Sequence, residues 1–213
     1  MLSLRSSGLV ILYSGSEQEA QDNALVATKV AGSARKAVLH FFELAGENSK
    51  GLEEVPEMDV KSLFSAPKTN GINGGAAVNG NGKANGHANG HANGSGNGAS
   101  HAAPSGDLED VIEKAFEQVA GITDRDVAPY HKFGNTAERV AVVLGPGAQD
   151  LAQDLSVVAI TLVRPNLLAA KIDLKQAKNI AVLEKTRKRT TRLGPVFTDV
   201  VSALQDAGEF SPK

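Results

Sequence analysis

The chain has 213 residues, a net charge of −2 and no cysteine. A charge this close to zero excludes a general attraction to nucleic acid or anionic membranes. The lack of thiols excludes disulfides, cysteine-bound zinc and cysteine-bound iron–sulfur clusters, and it fits a reducing compartment such as the cytoplasm. No apolar run approaches the roughly 20 residues that a membrane span requires. We therefore expect a cytoplasmic protein without nucleic-acid or membrane partners.

The first elements predict a parallel strand–helix–strand unit. Residues 8–13 form a short apolar run typical of a buried strand. Ser16 and Glu19 have capping-box spacing, which predicts a helix over residues 17–30 that ends at Gly32-Ser33. A buried strand so near the start suggests that the chain begins inside a larger fold.

Small residues on this helix would let it lie close to a sheet: Ala20, Ala24, Leu25, Ala27 and Ala31. Residues 37–42 predict the next strand, parallel to the first across a right-handed crossover. We interpret His40 in that strand as a core or strand-end histidine bonded to backbone, because no ligand or base partner stands at a readable spacing. A catalytic role is the alternative.

The middle of the chain has a different composition. After a possible helical turn at residues 60–64, residues 67–105 consist mainly of Gly, Asn, Ala and His and predict a disordered linker. Its histidines could bind a metal only on a helix, which the Asn-Gly pairs oppose, so we interpret them as linker residues: His87, His91 and His101.

Order returns at Asp107, where apolar residues at helical spacing predict a helix that ends at Gly121. Residues 126–134 are expected to be extended. A second strand–turn–helix–strand unit follows, with a buried strand over residues 140–144 as its centre. Its later parts are a turn at Gly145-Pro146-Gly147, an amphipathic helix over residues 149–155 and a strand over residues 157–162.

The last segment predicts a short helix at residues 167–170, a strand at residues 179–183 and a helix that opens at Gly194-Pro195 and ends at Gly208. The basic residues between the last two elements are interpreted as a solvated loop rather than a phosphate site or a nuclear signal: Lys185, Arg187, Lys188, Arg189 and Arg192.

No motif in the chain marks an active site. The turn at residues 145–147 lacks the third glycine of a dinucleotide-binding fingerprint, because position 150 is Asp. A P-loop, a nucleophile elbow and a His-Glu-x-x-His motif are missing too. The residues thus predict an α/β protein of three layers with a disordered insertion, and no catalytic, cofactor-binding or metal-binding residue.

Several runs resemble pyruvate:ferredoxin or flavodoxin oxidoreductases. SEQEAQDNALVA at residues 16–27 and VLHFF at 38–42 resemble the end of their thiamine-pyrophosphate pyrimidine-type domain. FGNTAERV, LVRP, IAVLEKT and LGPVFTDV, which begin at residues 133, 162, 180 and 193, resemble their next domain, similar to the transketolase C-terminal domain. The resemblance implies two α/β units at residues 1–66 and 106–213, joined by the linker at 67–105.

The same domain pair opens both subunits of fungal NADPH-dependent sulfite reductase. Residues 43–46 read Glu-Leu-Ala-Gly where the oxidoreductase pattern has Asp-Gly and then a Thr-Ser-His-Glu-like segment. This departure and the Asn/Gly-rich insertion favour a fragment of a sulfite reductase subunit, the flavoprotein rather than the haemoprotein. The segment would hold no cofactor itself, while FAD, FMN and NADPH are expected in the full-length family member.

Three hypotheses follow. The first is a non-catalytic assembly or docking region of an assimilatory sulfite reductase, which converts sulfite to sulfide, with the other subunit or the flavin domains as partners. The second is a fragment of a pyruvate or 2-oxoacid:ferredoxin oxidoreductase whose thiamine site other chains complete. The third is a freestanding protein-interaction module.

Overall fold

The computed structural model describes residues 4, 6–43, 51–65, 107–136, 138–172, 174, 176–185 and 193–206. These residues form helices α1 (Glu17–Ala34), α2 (Glu57–Phe64), α3 (Leu108–Thr123), α4 (Leu168–Lys171) and α5 (Pro195–Asp206). They also form strands β1 (Val10–Ser14), β2 (Val38–Phe42), β3 (Tyr130–Phe133), β4 (Arg139–Leu144), β5 (Ser156–Ile160), β6 (Leu162–Arg164) and β7 (Asn179–Glu184). The predicted α/β fold class is confirmed. The linker prediction, its three histidines and most of the basic loop fall outside the described residues.

The first sheet has the strand order β2-β1-β6. β1 and β2 are parallel, as the strand–helix–strand pattern predicts, whereas β6 lies antiparallel to β1. The single strand predicted over residues 157–162 is wrong, because the chain changes sheets at Thr161. The carbonyl of Pro129 accepts both the Thr161 and the Leu162 amide, and the Thr161 carbonyl accepts the Tyr13 amide at 2.8 Å. These bonds replace the ladder bonds that a continuous strand would make.

The second sheet has the order β3-β5-β4-β7. β4 lies at its centre, parallel to both β5 and β7, while β3 pairs antiparallel with β5. The helix predicted over residues 149–155 is wrong, because only a single 3-10 turn, Ala148–Leu151, follows β4. Leu151 is exposed, and Ala148 is the one buried residue of the turn, so little apolar surface is available to stabilise a longer helix.

Helix α1 differs from its prediction in length and in its buried face. It continues through Gly32-Ser33 to Ala34 and ends where Arg35 adopts a left-handed conformation with φ 51°. Of the small-residue stripe, Leu25 and Ala27 pack against the core, but they are only partly buried. The buried residues are instead Asp22, Asn23, Val26, Val30 and Ala34. Helix α3 likewise passes Gly121 and ends at Thr123, followed by Asp124 in the left-handed conformation, so tertiary packing outweighs the small helix cost of glycine in both.

One hydrophobic core connects elements from both halves of the chain. Val10, Ile11 and Leu12 of β1 belong to the same cluster as Val142 of β4 and Val200 of α5, and α1 packs against α3. No helix in the described ranges is both long enough and apolar enough to cross a membrane. The division of the chain at residues 66 and 105 stays a prediction.

Candidate functional site

The carboxyl ends of the parallel strands in the two sheets face each other. A Cβ atom added to Gly15, after β1, would lie 3.1 Å from Cα of Pro146 and 3.3 Å from the carbonyl oxygen of Gly145, after β4. These two turns are therefore in close backbone contact. Lys185, after β7, forms an ion pair with Glu43, after β2. In open α/β sheets, ligands bind at the carboxyl ends of the strands, so a ligand site is expected at this junction.

A cleft of about 220 Å³ opens at the junction. Backbone of the turns at Gly15, Gly145 and Gly147 forms part of its wall. The polar side chains in the remaining wall include Glu19, His131 and Gln149, and the apolar ones include Phe133. We refer to this space as the junction cleft.

Glu19 is held in place by the start of α1. The Ser16 hydroxyl accepts the Glu19 amide at 3.2 Å, as the capping-box spacing predicts. The Glu19 carboxylate accepts the Gly15 amide at 2.7 Å through Oε2. The capping contact thus places a carboxylate beside the cleft.

His131 of β3 is the histidine of the junction cleft, and the sequence analysis did not single it out. Its Nδ1 lies 3.0 Å from Oδ2 of Asp126, and its ring stacks on Phe133 with 6.4 Å between centroids. The Asp126 carboxylate accepts the hydrogen bond of Nδ1–H, so Nε2 is the ring nitrogen left for another partner. Alternate residues of a strand lie on one face, so the sequence indicated only that His131 and Phe133 would be neighbours.

His40 contacts a side chain rather than the backbone, so its predicted backbone partner is wrong. Its Nε2 lies 2.9 Å from the Ser14 hydroxyl oxygen, which also accepts a bond from Asn23 at 2.8 Å. A serine beside a histidine can be a nucleophile and its base. Ser14 is 0% exposed, however, so a substrate cannot reach its hydroxyl. Burial lowers the pKa of His40, which favours the neutral ring that accepts the Ser14 proton.

The two tyrosines of the chain have different surroundings. The Tyr130 hydroxyl accepts the Leu167 amide at 3.0 Å. The Tyr13 hydroxyl is buried without a hydrogen-bond partner among the described residues. Burial raises the pKa of Tyr13, and the carboxylates of Glu43 and Glu19 raise it further. The electrostatic environment of the Tyr13 ring, which lines the junction cleft, is therefore negative.

The turn after β4 does not fit a dinucleotide. Such cofactors place their pyrophosphate on the first turn of a long helix, and here Gly147 leads into a four-residue 3-10 turn. Within the described ranges, no group of three or more His, Asp or Glu side chains could hold a metal ion. The interpretation that the chain carries no catalytic, cofactor-binding or metal-binding residue stays a prediction.

No family model matches the chain. A pyruvate-flavodoxin oxidoreductase of Nostoc sp. is 26% identical across 100% of the chain, which covers 56% of that protein. The chain is similar to pyruvate oxidoreductases. Two more of them are a pyruvate-flavodoxin oxidoreductase of Trichormus variabilis, 25% identical over 97% of the chain, and a pyruvate:ferredoxin oxidoreductase of Moorella thermoacetica, 26% identical over 98%. The chain spans 19% of each of these two.

These similarities support the oxidoreductase resemblance along the whole chain. They do not support the narrower assignment to sulfite reductase or to sulfur assimilation, because the relatives named here are pyruvate enzymes. Of the hypotheses from the sequence, the second, a part of a pyruvate or 2-oxoacid oxidoreductase, is the better supported.

Proposed function

We propose that the chain is a non-catalytic region of a pyruvate or 2-oxoacid oxidoreductase that docks onto the rest of the enzyme. The observation that carries this proposal is the alignment, which covers 97% of the chain but 19% of the Trichormus relative. The buried Ser14 hydroxyl is consistent with a structural role. In this proposal other polypeptide regions would hold thiamine diphosphate and the redox centres.

A docking surface is available on neighbouring elements. Four large apolar side chains are exposed near the ends of β2 and β7 and the start of α5: Phe42, Leu183, Leu193 and Phe197. The ion pair between Glu43 and Lys185 brings the ends of β2 and β7 together. Large apolar side chains exposed to solvent can mark protein interfaces, so we assign the contact with the rest of the enzyme to these residues.

A second candidate is an assembly region of an NADPH-dependent sulfite reductase, with the other subunit or flavin domains as its partners. It rests on residues 43–46, Glu-Leu-Ala-Gly, which depart from the pyruvate enzymes' Asp-Gly pattern. FAD, FMN and NADPH would then bind to the other domains. Both candidates would act in the cytoplasm.

One purification tests both candidates. The chain is tagged in the cells that it comes from, isolated, and the eluate is assayed for pyruvate-dependent viologen reduction and for NADPH-dependent sulfite reduction. Pyruvate-dependent activity is expected. Sulfite reduction alone would replace the first candidate by the second, and an eluate with neither activity would overturn both.

Matched leucine variants test the docking surface. Leu183→Asp places a charge on the proposed surface, while Leu151→Asp changes an equally exposed leucine in the 3-10 turn. We expect Leu183→Asp to lose the co-purified activity and Leu151→Asp to retain it, because burying an unpaired carboxylate in an interface is costly. Equal retention would place the contact elsewhere.

A further inference from the structure

We propose that the junction cleft binds a small organic cation that carries N–H donors on a short apolar body. The cleft lies at the carboxyl ends of β1 and β4, where Gly15 and Gly145 bring two backbone turns into contact. Its volume of about 220 Å³ is below the range of roughly 300–1,000 Å³ typical for drug-sized ligands, so the ligand is small.

The charge of the cleft selects a cation. Glu19 is the one acidic residue among the described lining residues, which include neither lysine nor arginine. Glu43 adds negative potential near the Tyr13 ring, since both carboxylates raise the pKa of that phenol. An anion would meet this field without a compensating basic side chain.

Two polar side chains of the cleft can accept hydrogen bonds. The Glu19 carboxylate is an acceptor that the Gly15 amide holds in position. Nδ1 of His131 is bonded to Asp126, and Nε2 is an acceptor when the ring carries a single proton. Phe133, Ala159 and Ile160 provide apolar wall. A protonated amine on a short apolar group would donate hydrogen bonds to the acceptors and contact the apolar residues.

Benzylammonium is a suitable probe, with benzoate and benzyl alcohol as ligands of similar size and different charge. The chain contains two tyrosines, so protein labelled with ¹³C in the tyrosine rings reports on two places. Tyr13 lines the cleft and Tyr130 does not. We expect a saturable shift of the Tyr13 signals with benzylammonium, weaker shifts with benzyl alcohol, and none with benzoate. The Tyr130 signals remain unchanged, and Tyr13→Phe assigns the two rings.

Two glutamate variants separate the cleft from general surface charge. Glu19→Gln keeps an oxygen for the Gly15 amide but removes the charge, and should weaken benzylammonium binding on the order of tenfold. Glu17 lies in the same first turn of α1 but does not line the cleft. Glu17→Gln should therefore leave benzylammonium binding unchanged. Equal loss in both variants, saturation by benzoate, or the absence of saturation in the unaltered protein overturns the proposal.

Discussion

Asp22 and Arg125 form a two-bond side-chain contact between the two halves of the chain. Two bonds join the carboxylate and the guanidinium, at 2.9 Å through Nε and 2.5 Å through Nη2. The Asp22 residue is 4% exposed, and its hydrogen bond is the largest of the effects that raise the pKa of Arg125. Because 103 positions separate the partners, no local pattern in the sequence could have predicted this pair.

We expect Arg125→Met to destabilise the protein by about 3 kcal/mol, because it leaves a carboxylate buried without its partner. Urea unfolding measures the change. Lys178→Met is the control, since Lys178 and Glu138 form an exposed ion pair whose loss should cost under about 1 kcal/mol. Equal losses in the two variants would show that the burial of Asp22 does not matter.

His40 makes stability depend on pH. Burial lowers the pKa of His40 below its ordinary value of 6.5, so the unfolded chain takes up a proton at a pH where the folded protein does not. The free energy of unfolding should therefore decrease as the pH falls below about 6.5, with no contribution from His40 above that range. Urea unfolding of the unaltered protein and of His40→Gln between about pH 5 and pH 8 tests this. The same slope in both proteins would assign the effect to other groups.

At the scale of elements, a carboxylate from one strand caps the final helix. Glu184, the last residue of β7, accepts the Val196 amide through Oε2 and the Phe197 amide through Oε1, both at 3.1 Å. A Cβ atom on Gly194 would overlap this carboxylate. The predicted start of α5 at Gly194-Pro195 is confirmed, and this contact explains why a glycine precedes the helix.

We expect Glu184→Ala to lower stability by about 0.5–2 kcal/mol, because it removes the acceptor for two free helix amides and a favourable charge at the helix start. Glu117→Ala, on the exposed side of α3, is the control and should change stability by less than about 0.5 kcal/mol. Thermal unfolding followed by circular dichroism compares them. A control as destabilised as Glu184→Ala would contradict the capping role.

Local patterns predicted the positions of strands better than the limits of helices. The predicted strand at residues 140–144 lies at the centre of the second sheet. It could be predicted because a strand buried on both faces consists of consecutive apolar residues. The ends of α1 and α3 were missed, since packing carries both helices past a glycine. The sheet change at Thr161 depends on the distant Pro129 carbonyl. The junction cleft was missed for the same reason, as its walls come from β1, β3 and β4.

At the scale of the whole molecule, β6 couples the unfolding of the two halves of the chain. It follows β5 of the second sheet directly, yet it pairs with β1 of the first, and the core and the α1–α3 contact continue across both halves. Separating the halves would expose this core and break the pairing. The free energy of one half is therefore coupled to that of the other.

We consequently expect a single unfolding transition for the described fold, although the sequence predicts two units. Tyr13 in β1 and Tyr130 in β3 give each sheet its own ¹³C signal during a urea titration. Val26→Ala in α1 and Val142→Ala in β4 each remove methyl groups from a fully buried side chain. Each should lower the free energy of unfolding by about 2 kcal/mol. Each variant should move the Tyr13 and Tyr130 transitions together, because a shared core cannot lose one side alone. If Val142→Ala moved only the Tyr130 transition, the two sheets would belong to separate units, as the division at residues 66 and 105 predicts.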